Sequence, residues 1–553
     1  MAVIMGLPVW AALVGLATLL SYVWFRIAFR ERMALSAKLP GPTAYPLIGN
    51  LYMIKESTVE LFKYAVNAAG TFNEIGLAKI EWMHRVAVAV FNPADVEIIL
   101  GSSVHLEKAK EYRFFKPWLG EGLLISSGDT WRTHRKLIAP TFHLNVLKQF
   151  VYLFNRNSRA LCRKLDAVVG QVVDIHDYMS ETTVEILLET AMGVDRSTQN
   201  RGYDYAMAVM KMCEILHVRM FRPWLWPDWL FNMVPMGREQ KSLLHTIHSL
   251  TREVLKKRKA ERKQGVREGL YKRVVTDKDD VADGDAEEST SETSVSSYGY
   301  TTGLRDDLDD DVGEKKRIAF LDQMLDVAEN GAVLSDREVE EQVNTIMFEG
   351  HDTTAAGSSF FLSLMGVHQD IQERCVDELR TIFGDSQRPA TFQDTLEMKY
   401  LERCINETLR LFPPVPVIAR HATENIQMKS GHVIPEGTTI VIPQYLIHRD
   451  PTQYPNPEVF DPDNFLPERC SERHFYSFVP FSAGPRSCVG RKYAMLKLKI
   501  LLSTVLRKFH VRADVLEKDF QLTGDIILKR KEGFPVRLYP RSTHQAAGQS
   551  GDR

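Results

Sequence analysis

Phe481-Ser482-Ala483-Gly484-Pro485-Arg486-Ser487-Cys488-Val489-Gly490 is the stretch that decides how this chain folds. It has the pattern Phe-x-x-Gly-x-Arg-x-Cys-x-Gly, and the run after it, Arg491-Lys492-Tyr493-Ala494-Met495-Leu496-Lys497-Leu498-Lys499, reads as a helix. Cys488 therefore stands on a glycine-rich loop at a helix N-terminus, where backbone N–H groups and the helix dipole favour a thiolate. Gly484 and Gly490 carry no side chain to keep a flat cofactor off the backbone. Arg486 offers a cation to an anionic group on that cofactor. The commoner fate of a lone cysteine is burial as a small hydrophobe.

With 553 residues, 44% hydrophobic and 25% charged, the chain has the composition of a globular protein with a sizeable core. Cys162, Cys213, Cys375, Cys404, Cys470 and Cys488 show no CxxC or regular spacing, which argues against a disulfide scaffold or a zinc site and suits a reducing compartment. Residues 2–25 contain no charge. At about 1.5 Å per residue such a helix crosses a hydrocarbon core of about 30 Å. Trp10, Tyr22 and Trp24 lie in this run, and Arg26, Arg30 and Arg32 follow it. The expectation is a transmembrane signal-anchor over 1–26 with a cytoplasmic body. A cleaved signal peptide is the alternative, but it wants a basic start that is missing here. Residues 27–46 read as a basic, proline-rich linker made stiff by Pro40-Gly41-Pro42 and Pro46.

Most of the remainder, 47–541, has helical periodicity, with strand-like runs at 75–77, 87–91 and 439–442. The expected class is mainly α with small β-sheets. One segment, 277–314, breaks the pattern with fourteen acidic residues against two basic ones and many Ser and Thr. It reads as a disordered acidic insertion. Its net charge of −12 leaves +10 on the rest, so the overall −2 hides a basic body. That basicity suits anionic lipid or an acidic electron-donor protein. No nucleic-acid-binding motif accompanies it. Residues 542–553 read as a frayed tail.

Ser335 and Glu338 form a capping box at the start of a long helix expected over 335–370. In its middle lies Glu349-Gly350-His351-Asp352-Thr353-Thr354, where Glu349, Asp352 and Thr353 can share one face. Gly350 removes bulk where a ligand approaches, and the threonine hydroxyls can bend the helix. By themselves these residues also fit a solvated helix face. Glu407-Thr408-Leu409-Arg410 places a carboxylate and a guanidinium one turn apart, ahead of Pro413-Pro414. Surface pairs of this kind are common. Trp131 and Arg135 are likewise one turn apart and fit a snorkelling arginine. His448-Arg449-Asp450 has no phosphate loop to accompany it. The sequon Asn406-Glu407-Thr408 overlaps the Glu–Arg motif and is expected to stay unmodified.

Taken together, the Cys488 decapeptide, the 349–354 cluster and the Glu407–Arg410 quartet resemble cytochrome P450 monooxygenases, in motif order over roughly 39–540. The resemblance implies that Cys488 is the axial ligand of haem b iron, a thiolate that favours O–O cleavage. It implies that Phe481, Gly484, Arg486 and Gly490 belong to the haem loop, that Trp131 and Arg135 contact haem propionates, and that Arg420 does the same. Thr353 becomes the residue that hydrogen-bonds dioxygen, and Asp352 its neighbour in proton delivery. Glu407 and Arg410 become a structural pair, whose third partner in the family is usually an Arg from a Pro-x-Arg-Phe segment. Pro462-Asp463-Asn464-Phe465 has Asn464 there, which brings a hydrogen bond without a charge.

Glu349, with Trp118-Leu119-Gly120-Glu121-Gly122-Leu123-Leu124, resembles family 4, in whose fatty-acid hydroxylases that Glu can form an ester to a haem methyl. The acidic insertion resembles the insect G subfamily, whose members convert long-chain fatty aldehydes to cuticular hydrocarbons by oxidative decarbonylation. The resemblance implies an endoplasmic-reticulum enzyme facing the cytoplasm and an apolar long-chain substrate. Its electrons come from NADPH through NADPH-cytochrome P450 reductase, since no G-x-G-x-x-G fingerprint is present, with cytochrome b5 as a further donor. The alternative reaction is ω-hydroxylation of fatty acids; a haem sensor or carrier without turnover leaves Asp352 and Thr353 unexplained.

Overall fold

The chain begins with helix α1 (Ala2–Ala28), followed by a short helix Arg30–Ser36 that docks on the body through Arg32 Nη2, which donates to Gly437 O at 2.8 Å. In this computed structural model residues 2–45, 48–82, 85–194, 202–267, 319–329 and 334–541 are described. The insertion expected over 277–314 and the tail expected over 542–553 lie outside the described residues. Among the described residues no helix is long and apolar enough to cross a membrane, so they do not bear out the span expected over 1–26.

The fold is mainly helical with small sheets. Strands β1 (Leu77–Trp82) and β2 (Arg85–Val90) pair antiparallel, Leu77 opposite Val90. Val86, Val88 and Val90 recur with the period of two that puts one face of a strand into the core. Residues 75–76, expected as strand, form the turn before β1. The helices that build the site are α2 (Gly128–Ile138), α3 (Ile175–Thr190), α4 (Gly202–Phe221), α5 (Pro235–Arg267), α6 (Asp336–Val367) and α7 (Lys399–Leu411). Strands β3 (Ile418–His421) and β4 (Thr439–Ile442) complete a four-stranded sheet of order β1-β2-β4-β3, with β2 and β4 parallel. Helix α8 (Arg491–Lys508) follows the Cys488 loop, and β5 (Leu522–Gly524) pairs with β6 (Leu528–Arg530) near the C-terminus.

Helix α6 is the axis of the molecule. The Ser335–Glu338 capping box starts it: Glu338 N donates to Ser335 Oγ at 3.3 Å and Ser335 N to Glu338 Oε2 at 2.7 Å. It ends at Val367, three residues earlier than expected, because His368 leaves the helical conformation. From Glu341 to Gly366 it is buried except at Glu349, Gly350 and Thr353. The Trp118–Leu124 segment lies flat against it. Leu123 N donates to Gln342 Oε1 at 2.9 Å, and a Cβ on Gly122 would sit 2.0 Å from Thr345 Oγ1. Glycine there is a condition of that contact.

Glu407 and Arg410 on α7 form a fully buried bidentate pair, Nε to Oε2 at 2.7 Å and Nη2 to Oε1 at 2.8 Å. Burial pushes the Glu407 carboxyl up, and its bonds oppose this. Asn464 Nδ2 and Asp461 N both donate to Oε1, at 3.1 and 2.8 Å, so the Asn464 amide reaches the position the sequence assigned to it. Arg410 spends its other hydrogens on the carbonyls of His448, Pro457 and Val459 at 2.6–3.0 Å. The pair thereby staples the chain leading into the Cys488 loop. Arg410→Ala leaves a buried carboxylate without its cation, and we expect a loss of about 3–5 kcal/mol. Urea unfolding and the haem-to-protein ratio check this: stability and haem content fall together, whereas a wild-type haem spectrum at wild-type stability contradicts it.

Candidate active site

The Cys488 loop is held by its own backbone. Ser482 N donates to Val479 O at 2.9 Å, Ser487 N to Gly484 O at 2.9 Å, and Cys488 N to Phe481 O at 2.8 Å. Gly490 caps α8, and its backbone N–H points at the Cys488 sulfur. Gly484 has φ +66°, and a Cβ on it would lie 1.9 Å from Leu100 O. Its smallness therefore serves the contact with the helix Pro93–Leu100, not the approach of a cofactor as the sequence suggested. Gly490 is open on its sulfur side, where a Cβ would meet Cys488 Sγ alone, at 3.9 Å.

Cys488 is the exposed cysteine; the other five are buried. The protein around it is nonetheless dense. Burial first, then the charge of Glu349, pushes its thiol up to about 11, against the Gly490 N–H, Arg135 and Arg491. The loop and helix dipole do not suffice to ionise it at neutral pH. A metal ion would, since coordination deprotonates a thiol outright.

Facing Cys488 is a chamber rich in cations. Arg135 on α2 is close enough to Cys488 and Glu349 to feel both charges. Burial, then Arg420, pushes the Arg486 guanidinium down to about 9. Arg420 on β3 is buried and has no carboxylate partner among the described residues. Lys108 pairs across an isolated bridge with Arg420, and burial, Arg420 and Arg486 hold its amine well below the ordinary lysine value. Trp131 lies under Arg486, ring centre to guanidinium 4.3 Å. Arg486 Nη2 donates to Ser126 O at 2.6 Å, while its buried Nε and Nη1 have no partner.

Among the described residues four cations thus share two carboxylates, Glu349 beside Lys108 and Arg135 and Glu107 near Arg486, and two nitrogens of the Arg486 guanidinium have no partner. A flat group that bears two carboxylates and a metal cation fits this chamber. Haem is such a group: Arg486, Arg135, Arg420 and Lys108 would hold its propionates and Cys488 its iron.

Glu349 on α6 is within electrostatic reach of Cys488, Lys108 and Arg135, and Thr353, one turn along, is on the same partly accessible side of the helix. Thr353 Oγ1 donates to Glu349 O at 2.8 Å. Burial pushes the Glu349 carboxyl up to about 7, against Lys108 and Arg135. Asp352 does not join them. It is buried on the side of α4 and β6, where Lys529 Nζ lies 3.1 Å from its Oδ1. Burial pushes its carboxyl up, but Lys529, His351 and His176 outweigh this and hold it below the ordinary aspartate value. Gly350 is no ligand portal: a Cβ there would meet Leu187 of α3 at 2.8 Å.

Lys108 and Lys529 were missed in the sequence. Lys108 reaches the chamber through a single bridge to a strand more than 300 residues away, and no spacing announces that. The fold and the site together define a haem-thiolate protein built around a central helix. Residues 39–536 match the family model described as Cytochrome P450. Relatives include "Cytochrome P450 4g15" of Drosophila melanogaster, 54% identical over 94% of this chain and 95% of the relative, and "Cytochrome P450 4g1" of the same species, 45% identical over 97% and 94%. "Cytochrome P450 4V2" of Homo sapiens is 36% identical over 92% and 91%. The chain belongs to the cytochrome P450 family, within family 4. It is a monooxygenase.

Lys529→Met removes the cation that keeps Asp352 ionised, and burial then raises the carboxyl. At neutral pH the variant carries an unpaired buried charge and is less stable by about 3 kcal/mol. A depressed carboxylate contributes stability above its unfolded value and loses it as pH falls through the folded one. The difference between wild type and variant is therefore expected to shrink as pH falls into the carboxylate range, as read by unfolding midpoints. A gap independent of pH contradicts the pairing.

Proposed function

We propose that this monooxygenase acts on long-chain fatty aldehydes and releases the hydrocarbon one carbon shorter, the oxidative decarbonylation that supplies cuticular hydrocarbons. The observation that carries this reading is the likeness, over nearly the full length, to the two G-subfamily relatives, together with the acidic insertion at 277–314. Haem held by Cys488 would supply the oxygen chemistry, which a thiolate ligand favours. The chain supplies the rest. The cations Lys108, Arg135, Arg420 and Arg486 would orient the group by its carboxylates. Thr353, whose hydroxyl rests on Glu349 O, presents that hydroxyl to dioxygen, and Asp352, its neighbour on α6 and paired with Lys529, is the acidic group through which protons would be relayed to it.

Electrons come from NADPH through NADPH-cytochrome P450 reductase, with cytochrome b5 as a second donor, and no nucleic acid is involved. The enzyme sits on the endoplasmic reticulum with its body in the cytoplasm. The uncharged run 2–25 and the exposed Trp224, Trp229 and Met233 support contact with lipid.

Glu349, which opens on the chamber beside Cys488, is proposed to form an ester with a haem methyl. Its carboxylate oxygen bonds to the methyl carbon, which loses a hydrogen, and the two electrons lost reduce dioxygen to peroxide. Acid and organic solvent should then fail to extract haem from the wild-type protein and succeed with Glu349→Ala; full extraction from the wild type overturns the link.

The reaction itself is tested by a purified, reductase-coupled assay on a long-chain aldehyde. Shortened alkane with a one-carbon product is the expected result. Hydroxylated or acid product alone overturns decarbonylation and selects ω-hydroxylation, the reading favoured by Glu349. Spectral change on ligand binding without turnover would select a sensor or carrier.

A further inference from the structure

Lys497 lies less than two turns into α8, the helix that begins at the Cys488 loop, and is fully buried. Its Nζ donates to Gly350 O on α6 at 2.7 Å and stands 4.9 Å from the centre of the Tyr493 ring. No carboxylate among the described residues pairs with it, and burial alone pushes its amine down to about 7. Two titratable groups face it. His351 on α6 feels its charge, and Tyr493 on α8 shares a 2.8 Å hydrogen bond with Thr190 Oγ1. An amine without a carboxylate is a costly thing to bury, and an apolar side chain of equal length would sit there with less penalty. Stability does not explain this lysine.

Its position does. Gly350 lies between Glu349 and Thr353, in the one accessible turn of an otherwise buried stretch of helix. Glu349 O already takes the Thr353 hydroxyl at 2.8 Å, so two successive carbonyls carry a side-chain donor in addition to the helix ladder. Thr354 Oγ1 is 3.5 Å from Gly350 O, too long to compete. The Lys497 bond comes from the same helix that holds Cys488 at its start, so it spans the two halves of the site.

We infer that Lys497 is a positioning residue for oxygen activation, whose hydrogen bond to Gly350 sets the Glu349–Thr353 turn against the Cys488 helix. The inference rests on the role proposed for Thr353 only in its catalytic consequence. The bond itself acts on the helix whether or not Thr353 meets dioxygen.

The test compares full-length holoprotein carrying Lys497→Met, which fills the space without a donor, with Lys497→Gln, which keeps one. In Lys497→Met we expect amide hydrogen exchange in the peptide covering 347–355 to rise roughly five-fold, the loss of one neutral hydrogen bond. We also expect peroxide released per NADPH consumed with reductase to rise several-fold, while the Tm is unchanged or higher. Lys497→Gln should return both readouts towards wild type. Unchanged exchange in Lys497→Met overturns the inference. So does a lowered Tm with haem loss in both variants, which marks a merely structural lysine. Faster exchange with unchanged peroxide overturns Lys497 as a positioning residue for oxygen activation, while the role proposed for Thr353 stands or falls on Thr353→Ala in the same peroxide assay.

Discussion

Lys108, Arg135, Arg420 and Arg486 gather near the Cys488 loop with only two carboxylates, Glu349 and Glu107, acting on them, and their mutual repulsion is the constraint the site has to meet. Like charges in a site of low dielectric are costly, and burial has already pushed Arg486 down to about 9. Burial and the charge of Glu349 likewise push the Cys488 thiol up to about 11. Haem held here would meet both costs, its iron taking the Cys488 sulfur as thiolate and its two carboxylates facing the cations. The residues present suit such a group, and the buried Glu407–Arg410 pair holds the chain that leads into the loop.

Helix α6 then divides the chemistry between its faces. Glu349 and Thr353 lie on its partly accessible side, and Asp352 looks away, towards Lys529 on β6 and the histidines His351 and His176. A carboxylate beside Thr353 on the chamber side would add a second negative charge close to the Cys488 sulfur. Placing it across the helix keeps an ionised acid near the threonine while the cavity stays short of anions. Lys497 works from below, on the carbonyl between those faces.

The linear motifs were legible where function and spacing coincide. The Cys488 loop, the capping box at Ser335 and the Glu407–Arg410 quartet are each local, so side-chain chemistry and helical period place them without tertiary information. Asn464 was legible too, since its neighbours fix its register. The limits are equally physical. Gly484 and Gly350 read as openings for a ligand, but backbone and side chains from remote segments, Leu100 and Leu187, fill the space beside them. Asp352 shares a helical face with Glu349 on spacing alone, and it is Lys529, arriving on a distant hairpin, that draws it aside. Lys108 and Lys497 left no signal, because a lysine reads as surface until the fold removes its water.

X-ray absorption at the iron edge of the purified holoprotein tests the central claim most directly. If Cys488 is the ligand on which the chamber is built, iron has one sulfur neighbour in the wild type and none in Cys488→His. A wild-type iron with only nitrogen and oxygen neighbours, or a sulfur that persists in the variant, contradicts it.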